Sequence, residues 1–321
     1  MFLHSVVITG LALVIVAEAA AGEPLVDAPF TEEATRQSAR AAATSVGIPA
    51  STVELIRIGS NAVFRIDGDT IARVAPRLDL LSNAQLQIDV ARWLEDVDFA
   101  AVRSVHVDQP IVVGSHVVTL WRSACEGEVY APIADVARII RDLHKLPEPA
   151  GIDLPDLVPF GPPDAALPTF DGLAPADAEF LRKRLDWSRR SFADLPFVLE
   201  PGVIHGDANV GNVLLDDGGE AVLIDLDSFS RGPREWDLIQ TAIFADRFGW
   251  HSAQEYRTFV EVYGYDITTW AGYEDLALMR EVSMTRWIGE KAATSDAALK
   301  EATKRIAAIR SGGSRRDWGA Y

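Results

Sequence analysis

Three oxygen-bearing side chains lie close together in the second half of the sequence. Asp207 and Asn212 belong to the stretch HGDANVGN, which begins at His205, and Asp225 ends an apolar segment soon afterwards. Mg²⁺ prefers carboxylate and amide oxygens as ligands. Phosphoryl transfer needs a metal ion on the phosphates and a carboxylate that orients the attacking hydroxyl. The spacing therefore favours phosphoryl transfer, with Asp207 facing the hydroxyl and Asn212 and Asp225 on the metal.

The same stretch resembles the aminoglycoside phosphotransferase family, whose small-molecule kinases share the protein-kinase fold. HGDxxxxN followed by a strand ending in IDxD carries the resemblance, and SNAVFRI, ARWL, VVTLW, LHKLP and REWDL occur in the expected order. The resemblance covers the chain from about Asn61 to about Trp318. It implies that Asp207 is the catalytic base or hydroxyl-orienting residue, that His205 braces its loop, and that Asn212 and Asp225 hold Mg²⁺. An ordinary Asp-Gly turn with polar loop residues is the alternative.

A cation for the nucleotide phosphates is expected on the third strand, where the protein-kinase pattern has a lysine. That strand reads TIARVAP, so the resemblance places Arg73 there. A guanidinium can bind phosphate oxygens through two hydrogen bonds, although arginine and lysine are not equivalent at such sites. Gln87 replaces the usual helix glutamate, so we expect Asp89 to reach Arg73 instead, or an uncharged hydrogen bond to remain. An arginine merely exposed on a strand is the alternative.

Further nucleotide contacts are predicted from a turn and from the junction of the two lobes. The turn Gly59-Ser60-Asn61 can cover the phosphates with backbone groups and Ser60, or it is a plain hairpin. Residues 120–124, which include Trp121, are expected to present backbone groups to adenine, above an apolar floor of Leu214 and Ile224. Core packing would explain these side chains equally well.

Later residues carry weaker signals. Asp227 is expected to approach the metal or the substrate, and Asp237 to accept hydrogen bonds that fix the catalytic loop; both are equally compatible with structural roles. Residues 280–287, REVSMTRW, lie where such kinases place substrate-facing helices, but their spacing is that of an ordinary amphipathic helix.

The surrounding elements predict an α+β protein. Thr31 is a candidate N-cap for a first helix that Gly47 ends, and residues 80–97 have the apolar spacing of a second helix. Five strands are expected from VELIRIG, NAVFRIDGD, TIARVAP, VRSVHVD and QPIVVGSHVVTLW. Beyond Asp237 the pattern is helical nearly to the end. The result is a bilobal protein-kinase-like fold, with a small five-stranded antiparallel N-lobe and a larger, mainly helical C-lobe.

The expected domain boundaries follow from this order. Residues 25–119 form the nucleotide-binding lobe, 120–124 the hinge, and 125–321 the catalytic and substrate lobe. Residues 1–24 are apolar up to Glu18 but lack the Lys or Arg of a signal n-region and are short for a membrane span. We expect translated upstream sequence with a true start near Leu25 or Val26; a real leader or anchor and a packed helix are the alternatives.

Composition excludes several classes of function. The formal charge of −17 argues against a nucleic-acid surface, which would need clustered Lys and Arg. It fits cationic or neutral small substrates, or simply a solvated acidic surface. The single cysteine, Cys125, leaves no intrachain disulfide framework and no Cys-based metal site. We expect it to be a core or linker residue in a reducing, cytoplasmic protein without stable membrane association.

These observations predict an ATP-dependent, Mg²⁺-requiring phosphotransferase that acts on a hydroxyl of a small molecule, aminoglycoside-like or another metabolite. A catalytically weak, nucleotide-binding regulatory homologue is the main alternative, because Arg73 and Gln87 depart from the family pattern. A metal-dependent phosphohydrolase would need more metal ligands. A protein kinase would need an activation segment, for which the stretch between Asp225 and Asp237 leaves little room.

The acceptor is not fixed by the sequence. An acidic pocket would indicate an amino sugar or another amine-bearing alcohol. An aromatic pocket that draws on Trp270, Tyr273 or Trp287 would indicate a neutral metabolite or a macrolide.

Overall fold

The computed structural model describes residues 30–319, so the predictions for residues 1–24 lie outside it. The helices of this part are α1 (Glu32–Ser45), α2 (Leu81–Asp96), α3 (Ile133–Leu143), α4 (Pro175–Ser191), α5 (Glu235–Ile243), α6 (Ala253–Tyr263), α7 (Tyr273–Gly289) and α8 (Asp296–Ser311). The strands are β1 (Val53–Ile58), β2 (Ala62–Ile66), β3 (Thr70–Ala75), β4 (Ile111–Val113), β5 (His116–Arg122), β6 (Gly202–Ile204), β7 (Val213–Leu215), β8 (Ala221–Leu223) and β9 (Ser230–Gly232).

Two compact units divide the described chain. The first contains the described residues up to Tyr130, together with Pro149–Asp153 and Val213–Asp227. The second contains Ala131–Glu148, Leu154–Asn212 and the described residues from Ser228 onward. None of the described helices is both long enough and apolar enough to cross a membrane.

A five-stranded antiparallel sheet organises the first unit, in the order β1-β2-β3-β5-β4. Helix α1 begins as the sequence predicts, because the Thr31 side chain accepts a hydrogen bond from the Ala34 amide. Its small buried residues, such as Ala39, pack with Phe64 of β2 and Leu120 of β5. Fully burying a side chain as large as these last two contributes roughly 1.5–3 kcal/mol. This core supports the strands that carry the candidate nucleotide-binding residues.

The prediction of a strand over VRSVHVD is wrong. Residues 102–108 contain only an isolated bridge, between Ser104 and Trp121. Instead, QPIVVGSHVVTLW supplies both β4 and β5, because Gly114, at φ +61°, turns the chain back between them. The count of five strands is confirmed, but the fourth begins later than predicted.

The β7–β8 hairpin belongs to the first unit although it comes late in the sequence. The Leu215 amide donates to the Val129 carbonyl at 2.8 Å, and the Val102 amide donates to the Leu223 carbonyl at 2.9 Å. These backbone bonds attach β7 to the chain that follows β5, and β8 to the chain between α2 and β4. Residues 224–227, which follow β8, are thereby positioned beside β3.

The second unit is mainly helical. Helices α3 to α8 lie in it, together with the two-stranded ribbon of β6 and β9. Every residue of α5 is buried, so this helix forms the centre of the unit. The sheet of the first unit and the helices of the second confirm the α+β class.

Candidate active site

The loop that carries Asp207 is anchored by a buried carboxylate. Strand β6 leads into His205, and the backbone amides of His205 and Gly206 donate to the two oxygens of Asp237 at 2.7 and 2.8 Å. His144, which follows α3, contacts the same carboxylate through Nε2 at 3.0 Å. Asp237, on α5, therefore holds the loop as the sequence predicts.

Asp237 is charged although it is completely buried. Burial alone would raise the pKa of its carboxyl, but the hydrogen bond and charge of His144 and the loop amides outweigh burial and lower the pKa. The negative charge is thus part of the folded state. Removing one partner of such a buried pair typically costs about 3–5 kcal/mol.

Gly206 allows the loop to turn towards Asp207. Its φ is +83°, and a Cβ at this position would lie 2.2 Å from the Ser228 carbonyl oxygen. No other residue type fits such an approach without moving the backbone. The Gly206 carbonyl accepts a hydrogen bond from Trp236 Nε1 at 2.8 Å, which fixes the other side of the turn.

The Asp207 carboxylate is held at both oxygens. Asn212 Nδ2 donates to Asp207 Oδ2 at 3.2 Å and to the Asp207 carbonyl at 2.8 Å. Arg280 Nη2 donates to Asp207 Oδ1. The Asp207 side chain nevertheless remains 44% exposed, so it can meet a ligand. Because the amide nitrogen of Asn212 donates to Asp207, its Oδ1 points away from that carboxylate hydrogen bond.

Asp225 and Asp227 lie beside Arg73 in the first unit. Arg73 Nη2 is 3.1 Å from Asp225 Oδ1 and 2.8 Å from Asp227 Oδ1. Asp225 has φ +62°, in the left-handed region that aspartate tolerates better than most residues. Burial lowers the pKa of Arg73, but the two carboxylates outweigh it and raise the pKa above its usual range. Arg73 is therefore a fixed positive charge.

The pair of Asp225 and Asp227 carries more negative charge than Arg73 can neutralise. Burial, together with the neighbouring Asp225 carboxylate, raises the pKa of Asp227 to about 6, although Arg73 opposes this. Asn83 Nδ2 donates to the Asp227 carbonyl at 3.0 Å and orients its backbone. A divalent cation would relieve the repulsion between the two carboxylates, so their chemistry fits such an ion.

The residues expected to anchor Arg73 from α2 have other partners. Gln87 Nε2 donates to Asn83 Oδ1 at 2.6 Å, and Asp89 accepts from Gln85 at 2.9 Å. Asp225 and Asp227 anchor Arg73 instead. The helix still contributes through Asn83, which no sequence motif indicates.

A cavity of about 300 Å³ opens beside Arg73 within the first unit. Its lining includes five of the predicted nucleotide- and metal-binding residues: Arg73, Trp121, Leu214, Ile224 and Asp225. Cys125 also lines it and is half-buried. Ser60 is exposed and is not part of this lining. The volume lies at the lower end of the range for small-molecule sites.

Part of the hinge backbone already has partners. Gln109 Oε1 accepts from the Leu120 amide at 2.7 Å, and the Val105 amide donates to the Leu120 carbonyl at 2.9 Å. Arg65 of β2 holds the next segment, with Nη1 on Ser123 Oγ at 2.7 Å and Nη2 on the Cys125 carbonyl at 3.1 Å. The cavity wall formed by residues 123–125 is thus supported by an arginine that sequence reasoning missed.

Two of the three aromatic residues considered for the acceptor belong to the core. Trp270 and Tyr273 are buried, and Trp270 stacks on Phe197. Trp287 is 42% exposed. Within 280–287, Arg280 contacts Asp207 directly, and no spacing rule in the sequence indicates that pairing.

Three solved structures illustrate what the chain resembles. The amicoumacin kinase hAmiN, in complex with AMP-PNP, Ca²⁺ and Ami, has a TM-score of 0.65 at 11% identity, covering 90% of this chain and 96% of its own. Spectinomycin phosphotransferase APH(9)-Ia, in complex with ADP and spectinomycin, has 0.59 at 14%, covering 87% and 94%. Choline kinase LicA from Streptococcus pneumoniae has 0.57 at 16%, covering 85% and 98%. These similarities confirm the kinase-like fold.

Sequence comparison identifies the family. Among curated proteins no sequence matches this chain. Residues 52–277, however, match the family described as the phosphotransferase enzyme family, APH. The matched range contains the whole HGD loop, Arg73 and the Asp225 segment. The chain therefore belongs to the phosphotransferase enzyme family, as its HGDxxxxN and IDxD motifs indicate.

Proposed function

We propose that this protein transfers the γ-phosphoryl group of ATP to a hydroxyl of a small molecule. The observation that carries the proposal is the Asp207 carboxylate, partly exposed to solvent and held at both oxygens by Asn212 and Arg280 on a loop fixed by buried Asp237. A carboxylate held in this way can accept a hydrogen bond from an acceptor hydroxyl and direct its oxygen towards phosphorus. ATP as the donor implies a cytoplasmic reaction.

The proposed step is a single displacement. A lone pair of the acceptor oxygen forms the new O–P bond, while the bond between the γ-phosphorus and the β–γ bridging oxygen breaks. ADP leaves with that electron pair, and the hydroxyl proton passes to Asp207. No covalent intermediate on the protein is required.

Binding of the nucleotide is assigned to the cavity of the first unit. Trp121, Leu214 and Ile224 give it an apolar surface for the base, and Arg73 supplies a permanent positive charge for the phosphates. Ser60, exposed on the turn after β1, is proposed to cover the phosphates, since a glycine-containing turn offers donors there.

His205 is proposed to act through the loop that carries Asp207. Its ring Nδ1 accepts a hydrogen bond from the Asp207 amide at 3.3 Å, and its own amide donates to Asp237. The His205 side chain is fully buried. It therefore supports the backbone before Asp207 and does not itself meet the substrate.

Mg²⁺ would be held by Asn212 Oδ1 and the Asp225 carboxylate. When bound, it would offset the negative charge of the nucleotide phosphates. The described residues contain no group of three or more acidic, His or Cys side chains that could hold a metal by themselves. Mg²⁺ usually takes one or two carboxylates and keeps phosphates and waters as its other ligands.

The acceptor is proposed to be a hydroxyl-bearing small molecule, aminoglycoside-like or another metabolite. One similar structure contains spectinomycin and another is a choline kinase, so amine-bearing and quaternary ammonium alcohols belong in the search, with neutral alcohols beside them. A panel of such alcohols, assayed by ADP release and by mass of the phosphorylated product, would identify the acceptor.

Asp207→Ala tests the proposal. We expect turnover to fall by at least about 10³-fold, because the hydroxyl loses its orienting group, while the ATP affinity changes less than about twofold. Asp164→Ala, which removes an exposed carboxylate from the connection before α4, is the matched control and should keep wild-type turnover. Undiminished turnover in Asp207→Ala would contradict the role of Asp207.

A nucleotide-binding regulatory homologue is the second candidate. It is favoured by one observation, the binding of Arg73 to Asp225 and Asp227 where the kinase pattern has a lysine–glutamate pair. Slow ATP consumption without acceptor distinguishes the two, because a regulatory homologue would show neither basal nor acceptor-stimulated ADP release.

A further inference from the structure

Arg280, on α7, is a buried arginine that contacts the candidate catalytic carboxylate. Its Nη2 donates to Asp207 Oδ1 and to Gln240 Oε1. The Arg280 side chain is only 10% exposed, whereas that of Asp207 is 44% exposed. The guanidinium therefore approaches the carboxylate from the protein side and leaves the solvent side of Asp207 for a ligand.

The guanidinium is itself held in place by several contacts. It lies over the ring of Trp236, with Cζ 4.8 Å from the ring centroid. The same ring donates from Nε1 to the Gly206 carbonyl, one residue before Asp207. Gln240, one turn further along α5 from Trp236, fixes the other side of Arg280. Asp207 and its arginine are thus supported by the same helix, so their relative position is set by rigid structure.

Helix α7 has its rotation fixed by the residue after Arg280. Glu281 is fully buried and pairs with Arg247 at 2.8 Å and with Arg315 at 3.0 Å. Breaking either pair would leave a buried charge partly uncompensated, so the helix resists turning about its axis. Because successive helix residues point in directions about 100° apart, this anchoring also fixes the direction of Arg280.

We propose that Arg280 is a positioning residue for phosphoryl transfer: it holds the Asp207 carboxylate in the orientation that the acceptor hydroxyl requires. Asn212 fixes Oδ2 and Arg280 fixes Oδ1, and each oxygen keeps a lone pair for the acceptor. Displacing a reacting group by about 1 Å can cost about 10²-fold in rate, which sets the scale of the effect. The inference rests on the proposed function, since it assigns Arg280 a role through Asp207.

The test compares Arg280→Gln and Arg280→Lys with the wild type, using Mg²⁺–ATP turnover measured as ADP release, with water and with the acceptor panel. We expect Arg280→Gln to lower kcat by about 10²-fold with the KM for ATP changed less than about twofold. Arg280→Lys, which keeps the charge without the planar fork, should restore part of the loss. Arg280→Gln added to Asp207→Asn should lower kcat no further. Arg280 acts only through the Asp207 carboxylate, so both changes remove the same orienting interaction.

Arg305→Gln is the matched control, because it removes a buried arginine of α8 that pairs with Glu301 and contacts neither Asp207 nor Glu281. It should lower the unfolding temperature and keep the wild-type kcat. If Arg280→Gln fails to fold, Gln240→Leu removes only the second acceptor of Arg280, and a severalfold fall in kcat is expected.

Two results would overturn the role of Arg280. They are an undiminished kcat in Arg280→Gln or in Gln240→Leu, and a loss in the double variant equal to the product of the two single losses. Absence of ATP turnover in the wild type, with water and with the whole acceptor panel, would instead overturn the proposed function, and the role of Arg280 with it.

Discussion

Arg73 Nη2 lies 3.1 Å from Asp225 Oδ1, so the cation expected on the phosphates is the ion-pair partner of the carboxylate expected on the metal. Asp227 shares the same guanidinium. A divalent cation bound by these carboxylates would therefore compete with Arg73 for them. A metal ion bound there would free the guanidinium for phosphate oxygens.

Replacing Arg73 with methionine should have opposite effects on the two ligands. We expect ATP affinity to fall roughly ten- to hundredfold, because charge-assisted hydrogen bonds to the phosphates are lost. Mg²⁺ affinity without nucleotide should rise, because two carboxylates lose their competing cation. Calorimetric titration of each ligand measures both. Arg77→Met is the control, because it removes only an exposed ion pair with Asp79 and should change neither affinity. A parallel fall of the ATP and Mg²⁺ affinities in Arg73→Met would contradict the competition.

Gly206→Ala should be severely destabilising. The new Cβ would lie 2.2 Å from the Ser228 carbonyl oxygen at a φ of +83°. We expect a loss of about 3 kcal/mol or more in the free energy of unfolding, measured by denaturant titration. Gly219→Ala is the matched control, because Gly219 has φ +81° but a Cβ added there would have no atom within 4 Å. Gly219→Ala should lower the free energy of unfolding by only about 1 kcal/mol. Equal losses in Gly206→Ala and Gly219→Ala would show that the close approach to Ser228 is unimportant.

Asp237→Asn should reduce the dependence of stability on acid pH. The pKa of Asp237 is lower in the folded protein than its usual value of 3.8. A carboxyl of this kind stabilises the fold above its unfolded pKa, and that stabilisation disappears as the pH falls through its folded pKa. The variant should lose about 3 kcal/mol at neutral pH and show a shallower fall in stability from about pH 5 to about pH 3. Denaturant titrations across that range measure both, with Asp164→Asn as an exposed control. An unchanged pH slope would argue against a charged Asp237.

Cys125 provides a probe of the cavity that is proposed to bind the nucleotide. Burial, assisted by Asp217, raises the pKa of its thiol, so alkylation should be slow at neutral pH. Saturating Mg²⁺–ATP should slow it further, because Cys125 lines the cavity. Mass spectrometry after timed exposure to iodoacetamide measures the rate, and inorganic phosphate serves as the control ligand. Equal alkylation with and without ATP would place the nucleotide elsewhere.

Local patterns predict much of the fold. Thr31 and Gly47 mark the ends of α1, and the apolar spacing of residues 81–94 places the buried face of α2. The strand expected over 102–108 does not form. Its prediction rested on β-rich composition, which does not show whether a partner strand is available. Strand β4 pairs only with His116–Val118 of β5, and the segment 102–108 meets the end of β5 through an isolated bridge between Ser104 and Trp121.

The candidate site is predictable only where it follows motifs. Asp207, Asn212 and Asp225 stand at fixed spacings, and the cavity contains Arg73 and Trp121. Arg280 follows Asp207 by 73 positions, so their contact depends on helix packing that no local pattern encodes. The partners of Arg73 are likewise unpredictable from the sequence. Gln87 on α2 shows that the usual ion pair with a helix glutamate cannot form, but it does not show that Asp225 and Asp227 take its place.

Transfer of label from γ-labelled ATP tests the central claim most directly. In single turnovers with Mg²⁺ and the acceptor panel, the wild-type protein should place the label on an acceptor hydroxyl, and Asp207→Asn should leave it on ATP. Label found only in inorganic phosphate, or transferred equally well by Asp207→Asn, would contradict the account.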